Sequence, residues 1–214
     1  MDNEKLRAHM VKTQIAARNV HDPQVLAAMS CVPRELFIPE SLRHFAYEDG
    51  PLPIGEGQTI SQPYIVALMT QAAMVNKDSV VLDIGTGSGY AAAIFSKIVK
   101  KVYTIERISA LAERARSLFE KLNYANIETR VGDGTLGWTE KGPFDAIVVT
   151  AGAPVIPETL LTQIKDNGCI IIPVGAALGQ ELVRLRKLSC SRYSREVLDH
   201  VRFVPLIGQE GWKD

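Results

Sequence analysis

From Ser79 onward, short apolar runs alternate with helical stretches, and this alternation constrains the chain more than any other feature. The runs "VVLDI" (80–84), "KVYTIE" (101–106), "IETRVGD" (127–133), "FDAIVVT" (144–150) and "CIIIPVG" (169–175) read as strands. Between them, "YAAAIFSKIV", "ISALAERARSLFEKL" and "PETLLTQI" read as helices, the second with Leu111, Ala115, Leu118 and Leu122 on one face. Unbroken Val/Ile strands joined by helices predict a doubly wound, mostly parallel α/β sheet covered on both faces. Two closing segments, "ELVRLRKL" (181–188) and "HVRFVPLI" (200–207), alternate partially and are expected as edge or antiparallel strands. Right-handed crossovers in such a sheet bring ligand sites to the carboxyl ends of the strands, near the point where strand order reverses.

Upstream, the texture is helical and irregular. "NEKLRAHMVKTQIAAR" places Leu6, Met10, Val11 and Ile15 on a helical stripe. Asp22 and Pro23 supply a cap and a first helical position. Residues 33–57 hold Pro33, Pro39, Pro51, Pro53, Gly50, Gly55 and Gly57, which predicts a surface loop with short helical pieces. "PYIVALMTQAAMV" (63–75) is expected as one largely buried helix. A length of 214 residues suits a single domain, 1–214, with residues 1–78 as a helical and loop region on the substrate side and 79–214 as the core.

Composition narrows the function. Lys plus Arg equals Asp plus Glu at 24 each, so the basic excess usual in a nucleic-acid binder is missing. No apolar run approaches the roughly 18 residues of a membrane helix. "MDNEKLRAHM" lacks the apolar centre of a signal peptide. Cys31, Cys169 and Cys190 form no C-x-x-C pair, which suggests a reducing cytosol with neither a disulfide framework nor a zinc site.

The first strand runs into "VLDIGTGSGY", with Gly85, Gly87 and Gly89 leading into a helix. Glycines there admit unusual backbone angles and close approach to a ligand, and the free N–H groups at the helix start suit a negative or polar ligand end. The position that would hold the third glycine of a dinucleotide fingerprint is Tyr90. Asp83, inside the turn, is awkward beside a pyrophosphate and suits a phosphate-free, positively charged ligand such as S-adenosylmethionine. It also suits simple bonding to loop amides. Glu106 closes the second strand, where an acid can take two ribose hydroxyls. Asp133, in "GDG" after the third strand, is placed to accept from an adenine amino group or to form a turn. Three acids at three successive strand ends, one within a G-x-G-x-G turn, together point to a class I S-adenosylmethionine-dependent methyltransferase with a Rossmann-like sheet.

With "LPIGEGQTISQPYIVALM" (52–69) added, the motifs "VLDIGTGSGY", "VGDG", "FDAIVVTAGAP" and "IIPVG" resemble, in order and spacing, the protein-L-isoaspartate (D-aspartate) O-methyltransferase family. The resemblance runs from the first helix to "FVPLIGQEGW" and is most specific in "GQTISQP". It implies a cytoplasmic, monomeric repair enzyme that methylates the α-carboxyl of L-isoaspartyl residues in proteins and peptides, and that has no nucleic-acid, membrane or metal partner. It implies Ser61 as the active-site serine, with Thr59 and Ser61 in a loop over the cofactor. It implies cofactor contacts at Asp83, Gly85, Gly87, Gly89, Glu106, Arg107, Asp133 and Gly134.

The chemistry agrees with such a site. A carboxylate acceptor is already ionised at neutral pH, so no general base is needed. Ser61 either orients that carboxylate or caps the helix that begins beyond Gln62. Three rival readings remain at this point. A nicotinamide dehydrogenase is opposed by Tyr90 and Asp83. An RNA or small-molecule methyltransferase is opposed by "VTAGAP", which holds no aromatic clamp. A cofactor-binding module without turnover is opposed by the complete motifs.

Overall fold

The chain opens with helix α1 (Asn3–Met10), which widens through a turn at Val11–Ile15, and continues to α2 (Pro23–Cys31). The computed structural model describes residues 2–189 and 192–213. Asp22 caps α2 as the sequence predicts: its carboxylate accepts from the backbone N–H of Gln24 at 2.8 Å and of Val25 at 3.3 Å, with Pro23 at the first turn.

The segment expected as a surface loop with short helical pieces has those pieces and, beyond the expectation, a hairpin. It forms two tight helical turns, Arg34–Phe37 and Glu40–Phe45, and then a hairpin of β1 (Leu52–Gly55) and β2 (Gln58–Ile60). The hairpin turn is possible because Gly55, Glu56 and Gly57 all take positive φ. Arg34 is the hub of the segment and is completely buried. Its Nε donates to the Ala46 carbonyl at 2.9 Å and its Nη2 to Gly50 at 3.4 Å, while the guanidinium lies over the Tyr90 ring, 5.0 Å from its centre. Burial lowers its pKa to about 10, which still leaves a cation at neutral pH. Sequence periodicity cannot reveal a loop whose carbonyls are gathered by a buried side chain.

Helix α3 (Pro63–Ala72) follows, then β3 (Val80–Ile84), α4 (Tyr90–Ser96), β4 (Lys101–Glu106), α5 (Ser109–Lys121), β5 (Ile127–Val131) and β6 (Phe144–Val149). Then come α6 (Glu158–Leu161), β7 (Ile164–Ala176), β8 (Gly179–Ser189) and β9 (Arg192–Val201). Strands β3 to β9 form one sheet in the order β5-β4-β3-β6-β7-β8-β9. The first five in that order run parallel; β8 and β9 are antiparallel to their preceding neighbours. This is the doubly wound, mostly parallel sheet of a class I methyltransferase.

Both faces are buried, which explains the unbroken apolar strands. Val81, Val102, Val148 and Ile171 pack into the core beneath α3, α4 and α5, whereas Leu82, Ile84, Val149 and Ile172 enter a second core with Phe144 and Leu160.

Two boundaries differ from the sequence reading. Strand β7 begins at Ile164, paired with Phe144, and the ladder shifts register before Ala146 meets Cys169. The last strand is β9, so "HVRFVPLI" contributes only its first two residues to the sheet. The rest of that segment crosses back over the sheet end, bridging Pro205 to Gly152 and Ile207 to Trp212. Cys31 is exposed and Cys169 buried, both as free thiols; Cys190 lies outside the described residues.

Candidate active site

Strand order reverses between β3 and β6: the chain moves outward through β4 and β5 on one side and through β7 on the other. Such a reversal opens a crevice at the carboxyl ends. Here it is a cavity of about 250 Å³, reached by Ile84, Ile105, Glu106, Thr150 and the turn 85–88. The hairpin side adds Thr59 and Ser61, and the returning C-terminal segment adds Val204 to Ile207.

The glycine turn is held tightly. Gly85 and Thr86 donate their N–H groups to the Ile105 carbonyl at 2.9 and 3.2 Å. The Thr150 hydroxyl, also in the cavity wall, donates toward Gly85 O at 2.8 Å and Ile84 O at 3.1 Å. Gly85 has φ +95°, and a Cβ there would lie 2.7 Å from Thr150 Oγ1, so both backbone and space require glycine.

Glu106 sits at the tip of β4 and is buried. Its Oε2 accepts from Gly87 N at 2.8 Å and its Oε1 from Ile108 N at 3.0 Å. Each carboxylate oxygen has two acceptor sites, so one on each remains for hydroxyl groups in the cavity. The cavity thus sets a carboxylate with free acceptor sites and a close-approach backbone turn beside apolar walls at Ile84, Ile105, Ile108 and Leu206.

The other two acids are placed differently. Asp83 is fully buried and is absent from the cavity wall. Its Oδ2 accepts from Thr104 Oγ1 at 2.7 Å, Thr104 Oγ1 lies 2.6 Å from Thr86 Oγ1, and Thr86 does reach the cavity. Oδ1 has no partner. Burial raises the Asp83 pKa to about 7, the Thr104 hydrogen bond opposes the rise, and the Glu106 charge adds to it. Asp133 spends its carboxylate on the chain: Oδ1 accepts from Thr135 N at 2.8 Å and Thr135 Oγ1 at 2.7 Å, and Oδ2 from Gln209 N at 2.7 Å. It locks the C-terminal segment beside the cavity and does not line it.

Thus the cavity wall brings together Thr59, Ser61, Gly85, Gly87, Glu106, Arg107 and Gly134, and it does not include Asp83, Gly89 or Asp133. Gly89 instead takes the cap position of α4 with φ +89°. Ser61 does not cap α3: that position is Gln62, and no side chain caps the helix. Sequence reasoning missed Thr86, Thr104 and Thr150, whose hydroxyls tie the turn together. "VTAGAP" contained Thr150, and nothing in its local pattern marks a hydroxyl that bonds 66 positions upstream.

Comparison with known proteins decides the family. Residues 4–211 match the model of the protein-L-isoaspartate(D-aspartate) O-methyltransferase family. The chain belongs to that family. It is 54% identical over 212 residues to protein-L-isoaspartate O-methyltransferase 2 of Pelobacter propionicus, covering 99% of this chain and 94% of the relative. It is 52% identical to the protein-L-isoaspartate O-methyltransferase of Pelotomaculum thermopropionicum, covering 97% and 91% of the two chains. Among solved structures, a protein-L-isoaspartate O-methyltransferase superposes with a TM-score of 0.82 at 30% identity, covering 98% of this chain and 67% of the other. A Plasmodium falciparum family member described in complex with S-adenosyl-L-homocysteine superposes with a TM-score of 0.80 at 26% identity, covering 94% and 98%.

A second cavity of about 230 Å³ adjoins the first in this family member. The two share Thr59, Ser61, Thr150 and Val204, and the second extends toward Pro51, Ile65 and Arg202.

Proposed function

We propose that this chain transfers a methyl group from S-adenosylmethionine to the α-carboxyl of L-isoaspartyl residues in damaged proteins and peptides, with Ser61 at the point of transfer. The observation that carries the placement is the common wall. Ser61, Thr59 and Thr150 border both cavities, so a donor in one and an acceptor in the other meet across the same hydroxyl groups.

S-adenosylmethionine, when bound, supplies the electrophilic methyl. Glu106 and the 85–88 backbone would hold its ribose and amino-acid chain. The acceptor carboxylate arrives ionised, since ordinary carboxyl pKa values lie near ~4. Its own oxygen is therefore the nucleophile. Ser61 need only donate a hydrogen bond so that this oxygen points along the transfer line, while Thr150, whose hydroxyl is given to the Gly85 and Ile84 carbonyls, holds the turn beside it. Two opposite charges disappear in the step, so a strong counter-charge at the reacting oxygen would hold back the ground state. Alignment and exclusion of water are the useful contributions, and positioning alone supplies ~7–11 kcal/mol in favourable cases. The methyl ester then closes to a succinimide without the enzyme as the following backbone nitrogen displaces methanol, and hydrolysis of the ring by water gives normal aspartate in part.

In this reading the chain is one methyltransferase domain, 1–214, with residues 1–78 on the substrate side and 79–214 around the cofactor. It acts in the cytoplasm as a monomer, without a nucleic-acid, membrane or metal partner. Its equal numbers of acidic and basic residues support the part concerning nucleic acid. No described helix is long and apolar enough to cross a membrane.

The test uses methyl-labelled S-adenosylmethionine and two peptides differing only in aspartyl against isoaspartyl linkage. Base-labile label is expected on the isoaspartyl peptide alone; equal labelling of both would remove the assignment. Ser61→Ala is expected to lower kcat about tenfold, the worth of one orienting hydrogen bond. Its affinity for S-adenosylhomocysteine should stay within about twofold of the parent. A variant that lost cofactor affinity instead would move Ser61 to the cofactor side.

A further inference from the structure

We infer that Arg202 is a specificity-determining residue that favours isoaspartyl substrates with an acidic side chain beside the damaged residue. This rests on the function proposed above. Arg202 lies one residue beyond β9, where the chain turns back toward the sheet end, and it is exposed. It borders the acceptor-side cavity and does not border the cofactor cavity. It is the one fully charged side chain among the described residues of that wall; the only other titratable group there is His200. Among the described residues no acid faces the cavity, and Arg202 makes no hydrogen bond or ion pair with another of them.

The groove that continues outward from Arg202 carries Glu181 and Arg195, which neutralise each other in an ion pair. A peptide entering along this track therefore meets one uncompensated cation, in the wall of the acceptor-side cavity and outside the wall of the cofactor cavity. That placement bears on which anion it recognises. A cation bonded to the reacting carboxylate would stabilise the ground state and lose its partner as the ester forms, opposing turnover. A cation outside the transfer line carries no such penalty and is free to pair with a neighbouring acid. Guanidinium pairs with carboxylate in a planar fork.

The experiment compares isoaspartyl peptides of otherwise neutral sequence, carrying one Glu at each position from two before to two after the damaged residue, with the same peptides carrying Gln. For at least one position the Glu peptide should show a KM about threefold lower, as expected for an exposed ion pair, at equal kcat. That ratio should shrink as salt is raised past physiological strength. Arg202→Gln should bring it to one while affinity for S-adenosylhomocysteine stays at the parent's value, and Arg202→Lys should restore part of it. No Glu preference in the parent, or a preference that survives in Arg202→Gln, overturns the inference while leaving the methyl transfer intact. Failure of the parent to methylate any isoaspartyl peptide would instead remove the underlying function, and the inference with it.

Discussion

An Asp83→Asn chain should gain thermal stability over the parent steadily as pH rises from about 4 to about 8. In the folded protein, burial holds the Asp83 pKa at about 7 against an ordinary 3.8. Between those values the folded state keeps a proton that the unfolded chain releases. The folded state binds more protons, so this group makes the parent less stable as pH increases, and the loss is complete once pH passes 7. The gap is worth roughly 4 kcal/mol, or on the order of 10 °C in a chain of this size. Asparagine has no such titration and still accepts the Thr104 hydroxyl through its carbonyl oxygen. Its amide nitrogen would occupy the unpartnered Oδ1 position at some constant cost. The informative quantity is thus the widening of the Tm difference with pH, read by calorimetry at several pH values. A constant difference would mean that Asp83 is not held protonated by its surroundings.

Glu106→Ala is expected to weaken S-adenosylhomocysteine binding at least about 100-fold. The substitution strips the Gly87 and Ile108 N–H groups of a charged acceptor, and each such bond is worth about 1.5–3 kcal/mol. It also removes the free lone pairs that face the cavity. Glu106→Gln keeps one acceptor oxygen and should lose only about tenfold. Titration calorimetry checks both, with the circular dichroism spectrum confirming the fold. If Glu106→Ala bound within fivefold of the parent, the ribose role would pass to another group. The two substitutions act on adjacent strand tips that feel each other's charge, so their effects should not add.

What the sequence reveals depends on whether a residue's environment is local. Strands such as "VVLDI" and "FDAIVV" are legible because burial on both faces leaves an unbroken apolar run. The Asp22-Pro23 helix start is legible because cap and helix are neighbours. Strand β9 is hidden because it forms an exposed edge, so "RYSREVLDHV" shows no core face; the more apolar "FVPLI" beyond it reads as a strand and is a crossing wall. The hairpin at 52–60 is hidden by the same Pro and Gly residues that make its turn. At the site, Glu106 could be read from its place at a strand end. Asp83 and Asp133 could be found but not assigned, since their partners come from elsewhere: Thr104 from the adjacent strand, and Gln209 from a segment 76 residues later.

The cavity is closed on one side by Val204 to Ile207, far along the chain from the glycine turn it faces. During synthesis, strands β3 to β6 can pair well before that wall has left the ribosome. Until residues 204–207 emerge, the adenosyl compartment lacks that wall. Ligand-driven stabilisation therefore arrives late, and fragments released prematurely should neither retain nucleoside nor modify their neighbours.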